Sequence, residues 1–145
     1  MAVARVLGVA LAEAARLPLA RAKRRLADAA RDASVLAATV REREEVKRRA
    51  AESLLMVACS RNEPWRSVRS SFDAVERLGF TNADRHVQDA ALLARWCIDN
   101  RAHRDDARRE LRRARAHAGR LRKNEELRVR LLAQAGEFEK LLGKE

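Results

Sequence analysis

Two cysteines and three histidines are the residues in this chain best suited to nucleophilic or metal chemistry, and their spacing serves neither. Cys59 and Cys97 each sit inside a helical pattern, far apart, with no histidine beside them and no Cys-x-x-Cys pair. A nucleophile needs an adjacent base and an oxyanion hole, and the chain has no Gly-x-Ser-x-Gly elbow either. Both thiols are expected to be reduced and packed. His86, His103 and His117 have neither the spacing of a helical metal pair nor a cysteine partner, so they read as solvated or partly packed imidazoles, and no metal or cofactor is expected. The carboxylate pairs Glu44-Glu45, Asp105-Asp106 and Glu125-Glu126 lie among arginines, where ion pairs on helix surfaces explain them better than a raised-pKa general acid does. No glycine-rich phosphate loop is present. Trp65 and Trp96 could stack on bases, but each falls in a helical pattern without neighbouring aromatics and is expected to pack. These residues point to a protein that is not an enzyme.

Charge is the more informative signal. The 145 residues carry 32 Lys and Arg against 21 Asp and Glu, a formal net charge of +11. Such an excess suits an acidic protein surface, nucleic acid or anionic lipid, and the interspersed acids weaken the nucleic-acid reading. The densest stretch runs from Arg108 to Lys123, where eight basic residues face one acid, Glu110. On a continuous helix Arg108, Arg112, Arg115 and Arg122 would share one side, with Arg109, Arg113, Arg120 and Lys123 beside them. These eight are the candidate partner-binding residues. The competing reading is a solvated arginine face.

The elements that must position them are helical. Five Gly and two Pro among long runs of Ala, Leu, Arg and Glu favour helix in nearly every window. Much of the 47% hydrophobic content is Ala, so the core should be thin. Helix 1 is expected at about 3–16, with Val3, Leu7, Leu11 and Ala14 on one face, ending near Pro18. Helix 2 begins near Leu19 and carries a heptad seam of Leu19, Ala22, Leu26, Ala29, Ala33, Leu36 and Val40. The polar run Arg41 to Glu45 breaks the register, and Val46, Ala50, Leu54, Val57 and Ala58 restart a stripe, as a bent continuation or a third helix.

Asn62 and Pro64 mark the start of helix 4, faced by Trp65, Val68, Phe72 and Val75 and ended by Gly79. Thr81 caps helix 5, with Val87, Ala90, Ala91, Ala94 and Ile98 on its apolar face and Trp96 off it, fading at Asp99-Asn100. Asp105 caps helix 6, whose seam is Ala107, Leu111, Ala114, Ala118 and Leu121. Asn124 starts helix 7, with Leu131, Leu132, Ala135, Phe138 and Leu141 inward and Gly143 near its end. The fold class is therefore all-α, an antiparallel bundle or hairpin array of about six to seven helices. It forms one domain, with 1–60 and 61–145 as finer sub-units. No stretch approaches the roughly 20 apolar residues of a membrane-spanning helix.

Residues 1–25 carry Arg5, Arg16, Arg21, Lys23, Arg24 and Arg25 against Glu13 alone. This gives the basic amphipathic look of a mitochondrial targeting segment, expected here to be uncleaved.

Three family resemblances accompany these patterns. Arg5-Val6-Leu7 with the following Ala/Leu helix, Trp96-Cys97-Ile98, the run Arg108 to Arg113, and Leu131-Leu132 with Glu137-Phe138 resemble segments of the LYR-motif accessory proteins of mitochondria. Those are basic helical subunits or assembly factors of respiratory complexes. The Leu-Tyr-Arg triplet is absent, the nearest residues being Leu7-Gly8-Val9, so acyl-carrier binding does not come with the resemblance. Trp65 ahead of Val68, Phe72 and Val75 resembles the second helix of a tetratricopeptide repeat, and Gly136-Glu137-Phe138 the turn between its helices. Length, charge and heptads are also similar to the coiled-coil stalks of secretion ATPases. Together these imply a noncatalytic accessory or scaffold subunit of a larger assembly, intracellular, mitochondrial by its basic amphipathic N-terminus or otherwise cytoplasmic, with a ribosome-associated RNA-binding protein and a secretion stalk as alternatives.

Overall fold

The computed structural model describes residues 2–37 and 39–143, with side chains from Ala4 onward. Val3, first of the expected helix 1 stripe, lies outside the described side chains. Seven α-helices and no strand occur among the described residues: α1 (Ala2–Ala14), α2 (Leu19–Leu36), α3 (Val40–Ser60), α4 (Trp65–Leu78), α5 (Ala83–Asn100), α6 (Arg104–Gly119) and α7 (Glu125–Gly143). The chain divides into two compact units, residues 1–79 and 80–145. The finer division expected from sequence fell at 60/61, but α4 packs on α3, and the first unit runs on to Gly79.

In the first unit α1 and α2 pack as a pair, both touch α3, and α4 packs on α3. The α1–α2–α3 core consists of Leu7, Ala10, Ala14, Ala22, Leu26, Ala29, Ala33, Val46 and Val57. Its many alanines let the helix axes approach closely, and large side chains contribute little of the burial. Arg25 Nε donates to Glu13 at 2.6 Å, tying α2 to α1. Arg61 donates to the Leu17 carbonyl, fixing the end of α3 to the α1–α2 turn. Val68, Phe72 and Val75 of α4 are buried, as their spacing predicts.

Several boundaries differ from the sequence reading. The polar run Arg41 to Glu45 does not break a helix. It forms the first turns of α3, whose start is set by Thr39, with Oγ1 accepting from the Glu42 N–H at 3.1 Å. The α2 seam stops at Ala33, and Leu36 and Val40 are exposed. Asn62 does not cap α4. It has φ 51° in the turn that ends α3, a conformation asparagine tolerates, and Pro64 precedes the first residue of α4. Gly79, at φ 84°, ends α4 in a conformation that favours glycine.

The second unit is a three-helix bundle in which α5, α6 and α7 all pack on one another. Asn82, one residue beyond the expected Thr81, caps α5 by accepting from the Arg85 N–H at 2.9 Å. Trp96 is buried, contrary to the narrow stripe read from sequence. The α5–α6 turn needs two left-handed residues, Arg101 (φ 52°) and His103 (φ 56°), so α6 begins at Arg104 without a side-chain cap. Asp105 is not the cap and instead occupies the first turn, where a negative charge suits the helix dipole. Asn124 does cap α7, accepting from the Leu127 N–H at 3.0 Å. On α7 it is Leu142, not Leu141, that faces inward with Leu131 and Ala135. Gly136-Glu137-Phe138 lies within α7 and forms no turn, which removes one of the features that resembled a tetratricopeptide repeat. No helix among the described residues is long and apolar enough to cross a membrane.

Candidate functional site: the basic face of helix α6 and its exit turn

The apolar seam of α6, Ala107, Leu111, Ala114 and Ala118, is fully buried, which orients every other position of the helix. Three pairs at i, i+3 line its flanks: Arg108 with Asp105 at 2.7 Å, Arg109 with Asp106 at 2.6 Å and Arg113 with Glu110 at 3.3 Å. Arg109 also lies 3.7 Å from Glu110. Two arginines, Arg108 again and Arg115, reach across to α7. Arg108 donates to the Leu142 carbonyl at 2.7 Å, near the end of α7 where carbonyls lack helical partners, and Arg115 pairs with Glu139 at 3.1 Å. Arg112 Nε reaches only the carbonyl of Arg108 on its own helix, at 3.4 Å.

The remaining three cations are not on the helix. Alpha-helical structure ends at Gly119, so Arg120, Arg122 and Lys123 occupy the α6–α7 connection together with Leu121, which falls outside the seam it was expected to extend. The turn closes by Arg120 N–H to His117 O at 3.2 Å and Leu121 N–H to Ala118 O at 3.1 Å. Arg120, Arg122 and Lys123 are exposed and make no ion pair among the described residues. The eight candidates therefore separate into four that are held by carboxylates of their own bundle, Arg112 on its own backbone, and three clustered at one end with their charge uncommitted.

Sequence reasoning missed a polar line inside this bundle. Asp89, Glu110 and His86 are buried, at 0%, 1% and 9% exposure. Glu110 lies three residues after Ala107 and four before Ala114; His86 likewise lies three after Ala83 and four before Ala90, and Asp89 three after His86 and four before Leu93. All three thus occupy seam positions, and a seam drawn only through apolar residues passes over them. Arg85 stands 3.5 Å from Asp89, and Arg113 and Arg109 flank Glu110, so surface guanidiniums reach in to compensate buried carboxylates.

The histidines are brought together rather than scattered. His86 Nδ1 and His117 Nδ1 lie 3.0 Å apart across α5 and α6, one donating and the other accepting. Phe80 stacks on His86 with centroids 3.8 Å apart and planes 9° from parallel. Burial, then the neighbouring His117 and Arg113, lowers the His86 pKa to about 4, so its ring is neutral at neutral pH. No group of three His, Cys, Asp or Glu able to hold a metal ion occurs among the described residues. Cys59 and Cys97 are free thiols, Cys97 buried.

No family model, curated protein or solved structure matches the chain. Function must therefore be argued from the surface and its charges.

Proposed function

We propose that this protein is a noncatalytic accessory or scaffold subunit that docks on an acidic surface of a larger protein assembly. The observation that carries this reading is the cluster Arg120, Arg122 and Lys123, three exposed and uncommitted cations on a turn anchored to a packed bundle. Arg108, Arg109, Arg113 and Arg115 along α6 are drawn into internal pairs, so they contribute to folding more than to recognition. The heptad seams are likewise consumed within their own units, which leaves turns and charged faces for contact.

The first unit adds support. Val35, Leu36 and Val40, at the α2–α3 connection, are 84%, 54% and 66% exposed. Large aliphatic side chains left in water around one turn suit a subunit whose partner covers them. A respiratory-chain assembly in mitochondria is the specific form that the LYR-type resemblance and the basic amphipathic segment 1–25 would favour.

The test combines native co-purification with charge reversal. Arg120→Glu, Arg122→Glu and Lys123→Glu together should reduce recovery of the partner at least about tenfold while leaving the melting temperature within a degree or two, because exposed charges contribute little to folding. Recovery of ribosomes or RNA as the main partner would replace this reading with the nucleic-acid one. Unchanged recovery of a protein partner would show the turn to be merely solvated.

A further inference from the structure

A second basic feature lies in the first unit, far from α6 in sequence. Helices α2 and α4 both pack on α3 but not on each other, so a trench runs between them. It has a volume of about 420 Å³. Leu54 of α3 forms its floor, Leu19 and Lys23 line the α2 wall, and Arg66, Ser70 and Arg77 line the α4 wall with Ser67, Ser71 and Ala74 between them. No carboxylate lines it.

The charges are arranged along its length. Arg66 and Arg77 stand on α4 three turns apart, about 16 Å along the axis at 1.5 Å per residue, and Lys23 faces them from α2. None of the three makes an ion pair among the described residues. The neighbouring Arg69 pairs with Asp73 at 3.0 Å, and that carboxylate lines the adjoining groove on the other side of Arg66 and Arg77. Between the cations the α4 wall presents hydroxyls. Ser71 is buried and its Oγ donates to the Ser67 carbonyl at 2.8 Å, while the Ser70 hydroxyl is exposed.

We propose that this trench binds a small molecule phosphorylated at both ends. Guanidiniums bind phosphate through forked, charge-assisted hydrogen bonds, and the exposed Ser70 hydroxyl adds a donor that a simple charge patch lacks. The separation of Arg66 from Arg77 exceeds the width of one phosphate, so the two ends act as separate subsites. Leu54, Leu19 and Ala74 give the middle of the ligand an uncharged, partly apolar bed. The volume falls in the range of small-ligand sites.

Isothermal titration calorimetry with hexanediol bisphosphate and with inorganic phosphate tests this. The bisphosphate should bind at least about a hundredfold more tightly, because the second phosphate engages at high effective concentration once the first is held. Arg66→Gln and Arg77→Gln should each weaken it about tenfold or more, with helicity unchanged by circular dichroism. Arg120→Gln with Arg122→Gln removes twice the charge of either trench variant elsewhere and should change the affinity less than twofold. Equal affinity for inorganic phosphate and the bisphosphate would overturn the two-subsite trench. So would equal weakening by the Arg120/Arg122 variant, which would reduce the effect to net charge. The partner recovery described above does not depend on the trench variants, so either idea can fail alone.

Discussion

The two units draw on one composition and solve the problem of burial differently. In residues 1–79 the described interior is an Ala-Leu-Val seam in which Glu52 is the one buried charged residue, and several cations and an apolar turn are left outside. In residues 80–145 the helices enclose His86, Asp89 and Glu110, and arginines at the rim are pulled inward to meet them. The difference shows that a run of arginines has no fixed meaning. Where the bundle contains carboxylates at seam positions, the arginines become part of the fold. Where no carboxylate pairs with them, as at Lys23, Arg66 and Arg77, basic side chains remain available.

The largest effects should come from the apolar layers. Phe72→Ala in the first unit empties a fully buried site and should cost about 3–5 kcal/mol. Leu111→Asp in the second places a carboxylate without a designed partner in a fully buried position and should cost at least as much. Hydrogen exchange with peptide resolution would read each unit separately. The comparison breaks if Leu111→Asp is tolerated, since that would mean the polar line of the second bundle accepts further charge.

Acid should separate the units next. The folded-state pKa of His86 lies near 4, below the ordinary 6.5, so the unfolded chain binds the extra proton first as pH falls. Its contribution is fully present above pH 6.5 and is lost between 6.5 and 4, by at most roughly 3 kcal/mol at the acid limit. The groups that face it are His117, Arg113 and the Phe80 ring. Urea unfolding of the whole chain at pH 7.5 and 5 should show the loss, and exchange should quicken in α5 and α6 while α2 and α3 stay protected. His86→Gln should flatten this dependence. A pH profile that the substitution leaves unaltered would remove His86 as its cause.

A turn gives a smaller effect of opposite sign. The α3–α4 connection assigns its left-handed position to Asn62, whereas the α5–α6 connection assigns two such positions to Arg101 and His103. A β-carbon in that region costs about 1 kcal/mol relative to glycine, which adopts it freely. Arg101→Gly is therefore expected to stabilise the protein by about 0.5–1 kcal/mol, less any loss from greater freedom of the unfolded chain. Thermal melting checks the sign, and a lower melting temperature would show that Arg101 makes contacts worth more than the strain.

These contrasts also mark what the sequence discloses. Helix number, the α6 seam from Ala107 to Ala118 and the inward face of α4 follow from period and apolar spacing, because those signals are local. The start of α3 was misplaced because a polar run was read as a break, while Thr39 three residues before Glu42 carried the real signal. The polar line through His86, Asp89 and Glu110 was passed over because the seam was drawn by hydropathy, although its spacing was visible. The pairing of His86 with His117 and the trench between α2 and α4 depend on which helices pack, and no local pattern states that. The separation of the eight α6-region cations into committed and uncommitted sets follows from where the helix ends, at Gly119, a boundary that the Arg-rich run obscures.

That separation can be tested at its weakest point, a single surface ion pair. Arg115 and Glu139 are 3.1 Å apart between α6 and α7, with side chains 47% and 23% exposed. Such a pair in water ordinarily contributes between zero and about 1 kcal/mol. Here the other carboxylate oxygen, Glu139 Oε1, is buried without a hydrogen-bond partner, so Arg115 is what compensates a partly desolvated charge. Arg115→Gln should therefore destabilise by about 0.5–1 kcal/mol, and a double-mutant cycle with Glu139→Gln should recover most of that as coupling. Arg122→Gln, from the same basic run but with no carboxylate to lose, should change stability by less than about 0.3 kcal/mol. Chemical denaturation at low and high salt measures both. Equal effects of the two substitutions, or a coupling of zero, would mean that the arginines of α6 and those of its exit turn do not differ, and that charge alone distinguishes neither folding from docking.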